Sequence, residues 1–172
     1  EKANERKEHG LFVIEGMREI CLAALAGFNL TQLFICKNIL KETHLYQLKN
    51  IPTVDETFEV SQDVYNSLAY REGTEGIIAV AKIKQQHLND CKLLSSPLIL
   101  VAEGVEKPGN LGALLRTADA CGIDAVIVCD PKTDIFNSNV IRSSIGTVFT
   151  NKVIVCETEE AVQFFETNKI EI

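Results

Sequence analysis

Short apolar runs alternate with amphipathic stretches along the first half of the chain. The runs that suit buried strands lie at residues 11–14, 33–36 and 76–81. Between them, residues 17–26 and 39–48 have helical periodicity, and Ser61 is placed to cap a third helix that ends near Leu68. This alternation predicts a small N-terminal three-layer α/β domain.

The second half repeats the alternation after a polar stretch at residues 82–90. Strands are predicted at residues 98–102, 125–129 and 153–156, and helices at residues 111–121, 138–144 and 159–167. Because strands that alternate with helices form parallel sheets, we expect a parallel-sheet domain here. We therefore divide the chain into a domain at residues 1–84, a linker at 85–96 and a second domain at 97–172.

The last three residues, Ile170-Glu171-Ile172, have the alternation of a strand that has just begun. A sheet that stopped there would leave an apolar edge exposed, which natural proteins avoid. We therefore expect the second domain to be incomplete at its C-terminal end.

Composition narrows the class of protein. Hydrophobic residues make up 46% of the chain and charged residues 24%, as in globular proteins, and no apolar run reaches transmembrane length. The six cysteines form no Cys-x-x-Cys pair and the three histidines are scattered, so we expect reduced core cysteines, no metal site and a cytoplasmic location. The net charge of −7 by itself disfavours a nucleic-acid partner.

The most informative segment is residues 108–118. Asn110 suits a helix N-cap, and Gly122 suits the stop of that helix. Gly112 and Arg116 are four residues apart and share one helix face. The stripe that faces the sheet is a different one, formed by Leu111, Leu114, Leu115 and Ala118.

Two interpretations of the Gly112 face remain open at this point. A ligand would be able to approach the backbone closely at Gly112 and meet the guanidinium of Arg116. The alternative is an ordinary surface arginine beside a glycine that eases the packing of the helix on the sheet. A nucleotide-binding Rossmann-like domain is disfavoured, since the segment has neither Gly-Lys-Ser/Thr nor Gly-x-Gly-x-x-Gly.

The pattern Pro108-x-Asn110-x-Gly112-x-x-x-Arg116-Thr117-Ala118 resembles the first motif of the SpoU/TrmH family of RNA ribose 2'-O-methyltransferases. Residues 10–16 and 73–80 resemble the family's N-terminal RNA-recognition domain, and residues 140–149 resemble its Arg-x-Ser-x-Gly segment. The resemblance implies an α/β recognition domain followed by a SPOUT-like parallel-sheet methyltransferase domain. It further implies a homodimer that methylates rRNA or tRNA with S-adenosylmethionine, without a metal and without a membrane.

The resemblance also implies roles for single residues. Arg116 and Asn110 become the catalytic candidates: the cation stabilises the developing alkoxide of the ribose, because a guanidinium is too weak a base, and the amide orients Arg116 or the RNA backbone. Ser144 and Gly146 become candidates for cofactor binding. The candidates for RNA contact are Arg6, Lys7, Arg18, Arg71 and Arg142, with Tyr70 as a stacking surface.

Two later family motifs, which build the S-adenosylmethionine pocket and the C-terminal trefoil knot, do not occur in residues 1–172. We therefore expect the knot region to be missing, and the 172-residue chain by itself to bind cofactor weakly or not at all and to show no turnover. A second hypothesis follows, in which the protein is a non-catalytic RNA-binding and dimerisation module.

Overall fold

The chain forms two compact α/β units in the computed structural model, Glu1–Ile83 and Lys84–Ile172. The structure describes residues 2–49, 51, 54–70, 75–91 and 95–172. In these ranges, no helix combines the length and the apolar character that a membrane crossing requires.

The first unit is built on a mixed sheet of four strands. Its elements are α1 (Ala3–His9), β1 (Leu11–Glu15), α2 (Met17–Leu25), β2 (Leu30–Ile35), α3 (Glu42–Leu48), β3 (Glu56–Glu59), α4 (Gln62–Leu68) and β4 (Ile77–Lys82). The strand order is β1-β4-β2-β3, with β4 antiparallel to both neighbours and β2 parallel to β3. The predicted strands and helices are all present, with shifted ends, whereas α1 and β3 were not predicted.

The core of the first unit lies around β4, which is buried at four of its six positions. Ser61 caps α4 as predicted, since its hydroxyl accepts the N–H of Val64 at 3.4 Å. One turn later, Tyr65 is 1% exposed, and its hydroxyl accepts the N–H of Gly76 at 3.1 Å. This bond ties α4 to the turn that enters β4, so a buried backbone donor is satisfied.

The second unit has the predicted parallel sheet. Its elements are β5 (Ile99–Glu103), α5 (Pro108–Cys121), β6 (Ala125–Cys129), α6 (Ser138–Ser143), α7 (Thr147–Thr150), β7 (Val153–Cys156) and α8 (Thr158–Asn168), preceded by a 3-10 turn at Leu88–Asp90. The order is β5-β6-β7, and every pairing is parallel. The central strand β6 is buried at all five positions, which explains its uninterrupted apolar sequence.

The end of the chain differs from the prediction. Residues 170–172 contain no strand, and Ile170 instead packs on the core cluster that contains Ile127 and Phe165. Lys169 closes α8 in the left-handed conformation, and Ile170 N–H then returns to the carbonyl of Phe165 at 2.9 Å. This turn brings Ile170 back against its own helix, so its apolar side chain packs on the core of the second unit and does not extend a strand.

Candidate functional site

The first turn of α5 begins three residues earlier than predicted. Lys107 occupies the N-cap and Pro108 the first helical position, where a missing N–H costs nothing. Asn110 is therefore the third helical residue and does not cap the helix; its own N–H donates to the carbonyl of Lys107 at 3.0 Å. The side chain of Asn110 is exposed, so the amide is available to a ligand.

The face above Gly112 is closed by α6, so the prediction that a ligand approaches the backbone there is wrong. Gly112 is buried, and a Cβ atom at this position would lie 2.6 Å from the carbonyl carbon and 2.7 Å from the Cβ of Ser143. Such distances are shorter than van der Waals contact. Gly112 therefore serves packing, as the alternative proposed, but its partner is a helix and not the sheet: the absent side chain lets α6 approach α5.

Arg116 lies one turn further along the same face and is exposed. A terminal nitrogen of its guanidinium donates a hydrogen bond to the carbonyl oxygen of Ser143. Within the described part of the chain this is the one hydrogen-bonding partner of Arg116. Since a guanidinium has five N–H donors, the others remain available to a substrate.

The turn between α6 and α7 contains the two residues predicted to bind cofactor. Ser144 is 0% exposed, and its hydroxyl donates to the carbonyl of Ile141 at 2.9 Å. Gly146 is buried and has φ +84°, a conformation that favours glycine. Both residues stabilise the turn and are buried. This corrects their assignment as candidates for the floor of a cofactor pocket. Arg142, in the last turn of α6, is exposed.

A polar cluster that was not predicted as a unit joins the carboxyl ends of the three parallel strands. The hydroxyl of Thr158, after β7, lies 2.6 Å from Oδ2 of Asp130, after β6, and 3.2 Å from Oε1 of Glu103, which ends β5. Parallel strands bring these three ends together, a relation that linear order does not express.

Two cysteines sit directly behind this cluster. Cys129 and Cys156 are free cysteines that lie opposite each other in the register of β6 and β7. Burial raises the pKa of both thiols, that of Cys156 to about 12. The neighbouring thiol and the carboxylates of Glu160 and Asp130 raise the pKa of Cys156 further, because they disfavour a second negative charge. Both thiols therefore stay neutral at physiological pH and behave as apolar core groups.

The residues predicted to contact RNA are unequally available in the first unit. Arg6 is only 4% exposed, so its assignment as an RNA contact is corrected: its guanidinium lies inside the unit. Its neighbour Lys7 is exposed. The side chain of Arg18 is 57% exposed and pairs with the buried Glu19 at 2.5 Å. Arg71 lies outside the described residues.

The chain segments on either side of residues 71–74 are tied to the end of β1. The backbone N–H of Tyr70 donates to Oε1 of Glu15 at 2.6 Å, and that of Met17 donates to Oε2 of Glu75 at 2.7 Å. The two carboxylates are thus occupied by backbone donors. Arg18 and the exposed Tyr70 belong to the segments that these bonds join, whereas Lys7 lies on α1, before β1.

These features define a two-unit α/β protein with an exposed arginine on the first helix of a parallel-sheet domain. Residues 1–79 match the MRM3-like substrate binding domain, and residues 97–172 match the SpoU rRNA Methylase family. These matches identify an MRM3-like substrate-binding domain followed by a SpoU methylase domain, which confirms the resemblance seen in residues 108–118.

Known relatives are similar over most of this chain and are longer. The 23S rRNA (guanosine(2553)-2'-O)-methyltransferase RlmP of Bacillus subtilis (strain 168) is 31% identical over 87% of this chain and 56% of its own length. The mitochondrial rRNA methyltransferase 3 of Homo sapiens is 29% identical over 87% of this chain and 36% of its own length. The chain therefore spans about half, or less, of these two relatives.

Solved structures agree with the fold. A crystal structure of an RNA 2'-O ribose methyltransferase superimposes with a TM-score of 0.81 and 34% identity, over 98% of this chain and 64% of that one. The SpoU methyltransferase AviRb from Streptomyces viridochromogenes, crystallised with AdoMet, gives a TM-score of 0.87 at 23% identity, over 98% and 64% of the two chains. The second likeness concerns the fold alone.

Proposed function

We propose that the protein with this chain transfers a methyl group from S-adenosylmethionine to a ribose 2'-hydroxyl of ribosomal RNA. The observation that supports this most directly is Arg116: a motif arginine, exposed, held at one nitrogen, in a domain of the SpoU rRNA methylase family. The names of the similar proteins, which are rRNA 2'-O-methyltransferases, favour the same reaction and ribosomal RNA over transfer RNA.

Arg116 acts on the hydroxyl in this proposal. Its free N–H groups donate to the ribose 2'-oxygen and stabilise the negative charge that grows as the oxygen attacks the methyl carbon. The guanidinium stays protonated, so the hydroxyl proton leaves to water or to a phosphate oxygen of the RNA. Asn110, exposed one and a half turns earlier on α5, is assigned to the RNA backbone or to the orientation of Arg116.

S-Adenosylmethionine supplies the methyl group when it is bound. The two residues considered for it, Ser144 and Gly146, do not fit that role, because both are closed inside the α6–α7 turn. The cofactor-binding residues are therefore left unassigned. A homodimer and a cytoplasmic location belong to the same proposal and rest on the resemblance and on the cysteine pattern.

The first unit selects the RNA in this proposal, through the segments around Arg18 and Tyr70. Unpaired nucleotides are bound by cations that contact their phosphates and by exposed aromatic rings that stack on their bases, and these two segments offer one of each. Lys7, Arg71 and Arg142 remain candidates for further phosphate contacts.

Arg18→Ala is expected to weaken the binding of a labelled hairpin oligoribonucleotide and to reduce the slope of log K against log salt by roughly 0.7–0.9, the contribution of one phosphate contact. Fluorescence anisotropy at several KCl concentrations measures both quantities. The matched control is Lys82→Ala, because Lys82 is exposed at the other end of the sheet, opposite Leu11, whereas Arg18 follows Glu15. Equal losses in the two variants would contradict an RNA contact at Arg18.

The competing function is a non-catalytic RNA-binding module, which the closed α6–α7 turn favours for the 172-residue chain by itself. Calorimetric titration with S-adenosylhomocysteine, followed by an assay of tritiated methyl transfer to rRNA fragments, separates the two. We expect no binding by residues 1–172, and both binding and transfer by a version extended to the length of its relatives. An extended protein that binds the cofactor analogue and RNA without transfer would overturn the catalytic proposal.

A further inference from the structure

Ser143 contacts α5 at three positions spaced by four residues, which lie on one face of the helix. Its hydroxyl lies 3.2 Å from the carbonyl oxygen of Pro108, its backbone packs on Gly112, and its carbonyl oxygen accepts the hydrogen bond from Arg116. The same hydroxyl lies 3.3 Å from the carbonyl of Val140 in its own helix. One residue at the end of α6 thus touches the first, second and third turns of α5.

The carbonyl of Ser143 is free to accept from Arg116 because α6 stops there. If the helix continued, Gly146 or Thr147 would donate to it. Instead, the N–H of Gly146 donates to Ile141 and that of Thr147 donates to Ser144, each at 3.0 Å. A helix end leaves such carbonyls in need of a donor, and a cation there is favourable.

We infer that Ser143 is a positioning residue for Arg116, and that the absence of a side chain at Gly112 allows Ser143 to occupy this position. This inference rests on the proposed function of Arg116. An arginine side chain loses considerable rotamer entropy when it is fixed. Because the bond to Ser143 fixes the side chain before RNA binds, this entropy is not lost during binding. The remaining N–H groups stay available to the ribose.

Three further hydrogen bonds involve residues at the end of α7, and two of them hold α5 in place behind this contact. The buried Asn151 donates from Nδ2 to the carbonyl of Leu115 at 3.0 Å and to that of Thr147 at 2.8 Å. Thr150 donates to Asp119 at 3.1 Å. Because α7 secures the second half of α5 separately, a small displacement of α6 at Gly112 is expected to move Arg116 without unfolding the unit.

The test compares Gly112→Ala with Gly109→Ala in the active protein. Both changes add one methyl group to the same helix. Apart from the adjacent residues and the helix's own backbone, no heavy atom of the described residues lies within 4 Å of such a group at Gly109, whereas at Gly112 the group meets Ser143. We expect Gly112→Ala to lower kcat at least tenfold with the KM for RNA changed less than twofold, and Gly109→Ala to leave both unchanged. A loss that appears in KM instead, or equally in both variants, would overturn the inference.

A double-mutant cycle with Arg116→Lys separates positioning from general damage. If Gly112 and Ser143 act through the guanidinium, Gly112→Ala will lower kcat less than twofold in the Arg116→Lys background. An undiminished effect there shows that Ser143 does not act through Arg116. If Arg116→Lys itself leaves kcat unchanged, the proposed function of Arg116 fails, which is a different result.

Ser143→Ala keeps the test decisive if Gly112→Ala does not fold. It removes the hydroxyl contacts with the carbonyls of Pro108 and Val140 and keeps the backbone carbonyl that accepts from Arg116. We therefore expect a two- to fivefold lower kcat, an unchanged KM and rescue by Ser143→Thr. Unchanged kcat in Ser143→Ala, with Gly112→Ala unfolded, would count against the positioning role.

Discussion

Arg116→Ala is expected to lower the rate of ribose methylation by about 10²–10³-fold, the usual effect of removing one donor that stabilises a developing oxyanion. The affinity for S-adenosylhomocysteine is expected to stay nearly the same, since the role proposed for Arg116 lies at the hydroxyl and not at the cofactor. Single-turnover transfer of a tritiated methyl group measures the rate, and calorimetry measures the affinity.

The matched control for Arg116→Ala is Thr117→Ala. Thr117 is the next exposed residue of α5, and its hydroxyl donates only within the helix, to the carbonyl of Ala113 at 3.1 Å. We expect its methylation rate to remain within about twofold of the parent, as for surface changes away from special features. A normal rate in Arg116→Ala would show that the arginine does not assist the reaction.

Gly76→Ala is expected to destabilise the first unit by about 3 kcal/mol or more, because it combines strain with overlap. Gly76 has φ +79°, and a Cβ atom there would lie 2.8 Å from the backbone N of Leu40 and 2.9 Å from the carbonyl oxygen of Cys36. Backbone atoms cannot move aside as a flexible side chain can. The turn that enters β4 would therefore open, and the hydrogen bond from Gly76 to Tyr65 would be lost.

Gly10→Ala separates backbone strain from overlap. Gly10 also has a positive φ, +63°, but among the described residues no heavy atom beyond the two chain neighbours lies within 4 Å of the position of an added Cβ. We expect a loss of only about 1 kcal/mol, the strain of a left-handed residue. Urea unfolding measures both variants, and tyrosine fluorescence reports the first unit selectively, because all three tyrosines lie in it and the chain has no tryptophan. Similar losses in the two variants would contradict the overlap at Gly76.

The sequence predicted the elements that local patterns specify. The run 125–129 forms β6 with both ends correct, because a short run of consecutive apolar residues is typical of a strand that is buried on both faces. Ser61 and Gly122 mark helix ends by their own chemistry, a hydroxyl acceptor at one and a left-handed φ of +64° at the other. The family was also predicted correctly, since several motif segments agree in order.

The elements that were missed lack such patterns. The strand β3 is exposed at every position and has the sequence Glu-Thr-Phe-Glu. It pairs with β2 at the edge of the sheet, where Phe58 stacks on Phe34 at 5.2 Å between ring centroids. Because these contacts join residues that are distant in sequence, no local pattern marks the strand. The predicted strand at 170–172 failed for the opposite reason: its alternation was real, but Ile170 packs on a core already formed by its own helix and sheet.

For the candidate site, the sequence by itself determined which residues share a helix face, and only the tertiary structure decided what they contact. Spacing placed Gly112 and Arg116 on one helix face, and the structure keeps them there. The sequence did not reveal that Ser143, 27 residues beyond Arg116, closes that face and accepts a hydrogen bond from the guanidinium. Nor did it reveal that Arg6 is buried while Lys7 is exposed. Periodicity describes the face that a helix presents, whereas the partner on that face depends on contacts between segments distant in sequence, which form only when the whole domain packs.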